Sequence, residues 1–245
     1  LANRQIAFKT TPVFQWNYEA RARVVVNQGG SSSGKTYSIL QVLLLRLMER
    51  PNQVCTVVGQ DIPNLKKGAL RDIERIFADC PDLARFVVAQ NKTDRVFNFA
   101  NGSTMEFTSY QDEQDSRSGK RDYLFVNEAN GVLWEIYNQL AMRTTTQIFL
   151  DYNPSAAFWA HTRLKGQPDT VFFYSRYTHN PFVHPAIVAH IEAYRQSDPE
   201  SWRVYGLGKT GAIQGLVFPS VNIVPELPAH YRKRAYGLDF GFNHP

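Results

Sequence analysis

Short apolar runs alternate along this chain with longer segments of helical spacing. Residues 23–26 and 53–59 are Val-rich and bounded by Gly or polar positions, as buried strands are. Three more runs of this kind lie at 122–127 (DYLFVN), 146–152 (TQIFLDY) and 171–176 (VFFYSR). Residues 37–48 are predicted as a helix. Residues 64–78 are predicted as another, with Leu65, Leu70, Ile73, Ile76 and Phe77 near helical spacing and basic residues between them. Residues 95–110 alternate apolar and polar positions around Asn101-Gly102, which predicts a β-hairpin. An aromatic-rich stretch at 14–22 leads into the first strand. Strands separated by helical segments predict an α/β fold, a mostly parallel sheet flanked by helices.

The pattern changes near Thr178. Helices are predicted over 185–195 and 199–205, Gly206-Leu207-Gly208 breaks the chain, and Pro225 and Pro228 precede a last strand at 235–239. The expected organisation is a core at 1–177, a small lid or linker subdomain at 178–230, and at 231–245 the opening of a further, truncated domain.

Composition changes this picture little. Hydrophobic content of 43% and charged content of 20% are ordinary for a globular chain. A net charge of +5 is compatible with nucleic acid without requiring it. Cys55 and Cys80 sit in apolar surroundings without metal-ligand spacing and read as reduced core thiols of a cytosolic protein. The longest apolar run, at 42–45, is far too short to span a membrane.

The candidate chemistry begins between the first strand and its helix. Gly29, Gly30, Ser31, Ser32, Ser33, Gly34, Lys35 and Thr36 fit G-x-x-x-x-G-K-[ST], a phosphate-binding P-loop. Such a loop wraps backbone N–H groups around a polyphosphate at a helix N-terminus. Lys35 is expected on the β/γ-phosphates and Thr36 on Mg²⁺. A second strand should supply a carboxylate for the ion and a base for water. The strand at 122–127 ends in Asn127-Glu128, with Asn where Asp is usual. Asn127 can still accept from a Mg²⁺-bound water, and Glu128 is the expected general base. Asp151 and Asn153, at the end of the next strand, either sense the γ-phosphate or simply terminate the strand in an Asn-Pro turn. Ser31, Ser32 and Ser33 leave the loop without an arginine, so an arginine for the γ-phosphate must come from elsewhere: Arg117, Arg121 or Arg143. Lys66, Lys67, Arg71 and Arg75 either face DNA phosphates or form a solvated helix face.

Taken together, GGSSSGKT, LFVNEAN, LDYNP, the YTHNPF stretch with DPESWRVYGLGK, and the terminal YGLDFG resemble the large terminase subunit of tailed bacteriophages. The resemblance spans nearly the whole chain. It implies a P-loop NTPase domain of the ASCE/RecA-like kind that hydrolyses ATP with Mg²⁺ and drives double-stranded DNA into a procapsid. It further implies portal protein and small terminase subunit as partners. A ring of five subunits is expected on the portal, often with a monomer in free solution, in the host bacterial cytoplasm. Arg117 best matches the family's trans arginine. Gln15, Trp16 and Asn17 match its adenine-contacting segment, with packing of Trp16 in the core as the other reading. Asp239 matches the first carboxylate of its RNase H-like nuclease, incomplete here. Two other readings stay open: another P-loop DNA translocase or helicase, and a nucleotide-regulated binding module with little turnover.

Overall fold

The computed structural model describes residues 8–211 apart from 111, 113 and 118. One eight-stranded sheet organises these residues. Its strands are β1 (Val24–Gly29), β2 (Val54–Val58), β3 (Val87–Asn91), β4 (Val96–Phe99), β5 (Thr104–Thr108), β6 (Arg121–Val126), β7 (Thr144–Tyr152) and β8 (Thr170–Ser175). They lie in the order β3-β4-β5-β2-β6-β7-β1-β8. From β5 to β8 every pairing is parallel, whereas β3 and β4 form an antiparallel edge. β4 and β5 are the hairpin predicted around Asn101-Gly102.

Alternation along the strands divides the core into two layers. Val25, Val57, Phe125 and Phe149 point to one face, where they pack with Ile39, Leu43 and Leu47 of α2 (Lys35–Glu49) and Ile73 and Ile76 of α4 (Ala69–Asp79). Their neighbours Val26, Val58, Leu124 and Leu150 point the other way. They meet Ile136, Tyr137 and Leu140 of α6 (Trp134–Met142) and Leu164 of a π-helical turn (Ala160–Leu164). Burying one such Phe or Leu contributes about 1.5–3 kcal/mol. Strands apolar on both faces suit a parallel sheet covered on both sides.

Several local expectations are corrected. The helix predicted over 64–78 is two helices, α3 (Ile62–Lys67) and α4, because Gly68 adopts φ −104°, ψ −106° and interrupts the run. The aromatic stretch near 14–22 contains α1 (Pro12–Glu19). Thr11 caps it by accepting from the Phe14 N–H, with Pro12 in the first turn. The helix predicted over 199–205 is a short piece, α8 (Pro199–Ser201), followed by a π-helical turn (Trp202–Gly206). α5 (Pro81–Ala84), β3 and α6 were not anticipated. α7 (Pro185–Ser197) lies where a helix was predicted. Residues 177–211 fall within the same compact unit as the sheet. Arg195 bridges to Glu192 at 2.8 Å and stacks over Trp202, which ties α7 to the π-turn after α8. The expected domain opening at 231–245, with Asp239, lies outside the described residues.

Candidate nucleotide-binding site

The chemistry-bearing residues meet at the carboxyl edge of the parallel strands, where open α/β sheets place their ligands. The loop after β1 delivers Gly34 as the N-cap of α2 in the left-handed conformation (φ 82°), which glycine adopts without steric cost. No side chain caps α2 there, so its first backbone N–H groups face the loop as an anion cradle.

Lys35 is buried, and its ammonium lies inside the loop. It donates to the Gly29 carbonyl at 3.0 Å, the Gly30 carbonyl at 2.9 Å, Ser33 Oγ at 3.3 Å and Asn153 Oδ1 at 3.0 Å. Burial lowers its pKa from 10.5 to about 8, with the Asp151 and Glu128 carboxyls opposing the shift. Ser33 donates to the Gly30 carbonyl and accepts from the Ser175 hydroxyl. Ser31 and Ser32 are bound by later parts of the chain. The Ser31 N–H donates to the Tyr205 carbonyl at 2.9 Å, and the Ser32 carbonyl accepts from Asn180 Nδ2 at 2.8 Å.

Asp151, at the carboxyl end of β7, joins the loop to the tip of β6. It is 2% exposed. Its Oδ2 accepts from the Thr36 hydroxyl at 2.5 Å, and its Oδ1 accepts from Asn127 Nδ2 at 3.0 Å and from the Glu128 N–H at 2.9 Å. Burial raises its pKa, while the Thr36 bond, the Lys35 charge and the donors of residues 127 and 128 act against that rise. Glu128 follows β6 in the left-handed region (φ 51°, ψ 53°), a conformation that costs a non-glycine residue energy and clusters at functional sites. Its carboxyl is exposed and shifted upward, first by desolvation, then by Asp151 and Asp61, with Lys35 opposing.

A cavity of about 740 Å³ is lined by Lys35, Thr36, Glu128, Asp151, Asn153 and Asn180, among others. A second, of about 940 Å³, adjoins it and shares Gly34, Tyr37, Asp72, Arg75, Asn180 and Phe182. Sizes of this order suit a small organic ligand. The structure thus brings Lys35, Thr36, Asn127, Glu128, Asp151 and Asn153 together.

It does not bring the segment at 15–17 to either cavity. Asn17 is fully buried and exchanges amide hydrogen bonds with Asn27 at 2.8 and 2.7 Å. Trp16 packs on Phe173 and His179, and Gln15 bonds Glu19 on the surface. Phe8, Lys9 and Thr11, a few residues upstream, line the larger cavity instead. Sequence reasoning missed them because nothing in their pattern marks a site.

Of the arginines, Arg117 is exposed on a 3₁₀ turn (Asp115–Arg117) before β6. Arg121 is buried at the amino end of β6, and Arg143 bonds Gln139 beside it, at the edge opposite the loop. Lys66, Lys67 and Arg71 are exposed, whereas Arg75, also exposed, lines both cavities. Among the described residues no three His, Cys, Asp or Glu form a metal-holding group, and no helix is long and apolar enough to cross a membrane.

A P-loop strand flanked by β7 and β8, with the Asn127-Glu128 strand one place further out, defines a P-loop NTPase fold. A family model described as the phage terminase large subunit matches residues 21–209, and the chain belongs to that family. No curated protein sequence matches it. Solved structures with the same fold include the large terminase of a thermophilic bacteriophage in complex with ADP (13% identity, TM-score 0.67, covering 82% of this chain and 53% of that one). The ATPase domain of the Thermus phage P74-26 large terminase aligns at 15% identity and TM-score 0.63, covering 82% of this chain and 94% of that one. The HK97 bacteriophage large terminase aligns at 12% identity and TM-score 0.62, covering 85% of this chain and 52% of that one. The chain spans about half the length of the first and the last of these three proteins.

Proposed function

We propose that this chain is the ATP-hydrolysing motor of a phage large terminase, which moves double-stranded DNA into the procapsid through the portal. The observation that carries the reading is the meeting of Lys35, Thr36, Asp151 and Glu128 around one cavity. The thermophilic phage relative, solved with ADP and with ATP-gamma-S, supports a nucleotide as the ligand.

Mg²⁺ fits the donors present. Asp151 and Thr36 offer hard oxygens and a single carboxylate, which suits an ion that keeps several waters and shares phosphate oxygens, while the Asn127 amide donates to Asp151. When bound, the ion would neutralise charge on the β- and γ-phosphates. The chain's own residues do the rest. The helix N-terminus and the Lys35 ammonium bind and orient the phosphates, with Lys35 exchanging its loop carbonyls for phosphate oxygens. Glu128 polarises the attacking water as general base, and its upward-shifted carboxyl lies closer to neutrality than an ordinary glutamate, as a general base requires. Phe8, Lys9 and Thr11 line the space where the nucleoside fits, in place of the segment at 15–17.

Arg117, exposed and ahead of β6, is the arginine we assign to a neighbouring subunit's γ-phosphate in a five-membered ring on the portal. The lid at 178–230, the small-subunit and portal contacts, the host cytoplasm as the place of action, and Asp239 as the first carboxylate of a nuclease in the larger protein complete the reading.

Steady-state ATP hydrolysis against protein concentration, with Lys35→Ala as blank, tests it. A Lys35-dependent rate per subunit that climbs with concentration and is lost in Arg117→Ala is the expected result. The absence of Lys35-dependent hydrolysis under all conditions, with or without portal, would overturn it in favour of a nucleotide-regulated binding module.

A further inference from the structure

The end of β6 poses a problem that β7 solves. A P-loop ATPase holds its cation partly through a carboxylate at the end of the strand that also carries the base. Here that position is Asn127, a neutral amide. The register pairs Val126 with Leu150 across β6 and β7, which puts Asn127 beside Asp151, and it pairs Asp151 with Asn27 of β1 on the other side. The site's carboxylate therefore lies one strand, about 4.8 Å, nearer the P-loop strand.

We propose that Asp151 of β7 is the carboxylate that holds the nucleotide's divalent cation in this chain, and that Asn127 is a positioning residue for it. This rests on the nucleotide reading above. Three observations carry the proposal. First, Asp151 Oδ2 meets the hydroxyl of Thr36, the P-loop group that takes a place on the cation. Second, Asp151 Oδ1 is held by the β6 tip, through the Asn127 amide at 3.0 Å and the Glu128 N–H at 2.9 Å, so Oδ2 is aimed at Thr36. An ionised carboxylate only accepts, so Asn127 must turn its NH₂ toward Asp151.

The third observation is the pairing itself. Aspartate at 127 would set two carboxylates face to face at about 3 Å, where like charges cannot both stay ionised. A carboxylate at 151 thus explains the amide at 127. The site keeps one carboxylate for the cation and one, Glu128, for the water.

The test is nucleotide affinity with and without the cation, measured as binding of a fluorescent ADP by the whole chain in EDTA and in Mg²⁺. Wild-type protein is expected to bind in EDTA and to gain affinity in Mg²⁺. Asp151→Asn should lose at least tenfold of the Mg²⁺ gain, each variant's gain being taken against its own EDTA affinity. Asn127→Ala should retain at least a third of that gain. A full Mg²⁺ gain in Asp151→Asn overturns the proposal. So does complete loss of the gain in Asn127→Ala with EDTA binding intact, and this second variant decides the matter if Asp151→Asn does not fold. Wild-type protein that binds nucleotide in neither condition would overturn the nucleotide site itself, a separate failure.

Discussion

The phosphate loop and the carboxylate pocket face each other across one cavity, yet they are built in opposite ways. The loop's eight motif residues are consecutive, from Gly29 to Thr36. The pocket draws on residues 36, 127, 128 and 151, brought together by the pairings of β7 with β6 and with β1. Phosphate binding depends on backbone N–H groups and one ammonium, which a short segment can supply alone. Cation and water handling needs charges of different strands at fixed spacing, which only a packed sheet supplies. A local motif therefore states that something binds here, while the division of labour among the carboxylates belongs to the sheet.

The largest expected effect separates the two halves. Glu128→Gln keeps the hydrogen-bonding shape but removes the proposed base, so hydrolysis should fall roughly 10²- to 10⁴-fold. Nucleotide affinity measured by calorimetry should stay within a few-fold. An equal loss of affinity would mean that the halves act as one unit.

A smaller effect tests how local the loop is. Gly208 (φ 65°) lies against it: a Cβ there would sit 2.7 Å from the Ser175 carbonyl and 2.8 Å from the Gly30 nitrogen. Its carbonyl also accepts from Gln28 Nε2 at 2.8 Å. Gly208→Ala should cost about 1–3 kcal/mol and lower Tm by roughly 2–12 °C. An unchanged Tm would restore the loop's independence from the chain that follows.

The smallest effect is a pH profile. Below about pH 8 the free protein already carries the Lys35 ammonium, so nucleotide affinity should be flat. Above it, binding must take up a proton, and Kd should rise up to about tenfold per pH unit. Lys35→Arg should flatten the profile, and a flat wild-type profile would show that the buried lysine keeps its proton. The same burial makes folding stability rise between about pH 8 and 10.5, because the unfolded chain holds that proton longer.

Much of this was legible in the residues alone. The five strands of the parallel core that the apolar runs marked, the hairpin at Asn101-Gly102 and the loop with Lys35 and Thr36 all follow from local pattern, because each rests on spacing within one segment. β3 escaped notice because it is a mostly exposed edge with Val88 open to solvent, so it lacks a buried period. The break at Gly68 was hidden inside a run whose apolar spacing continues through it.

At the site, the amino-acid order determined that a polyphosphate cradle exists and that Glu128 ends a buried strand. It left Asp151 ambiguous between a sensor and a strand-ending residue, and it put the nucleoside contacts at 15–17. Packing adds what the order lacks. α1 turns Asn17 into the core against Asn27, and parallel pairing carries Asp151 under Thr36. Side-chain chemistry is encoded locally, but which chemistries touch is set by the register and crossover of strands far apart in the chain.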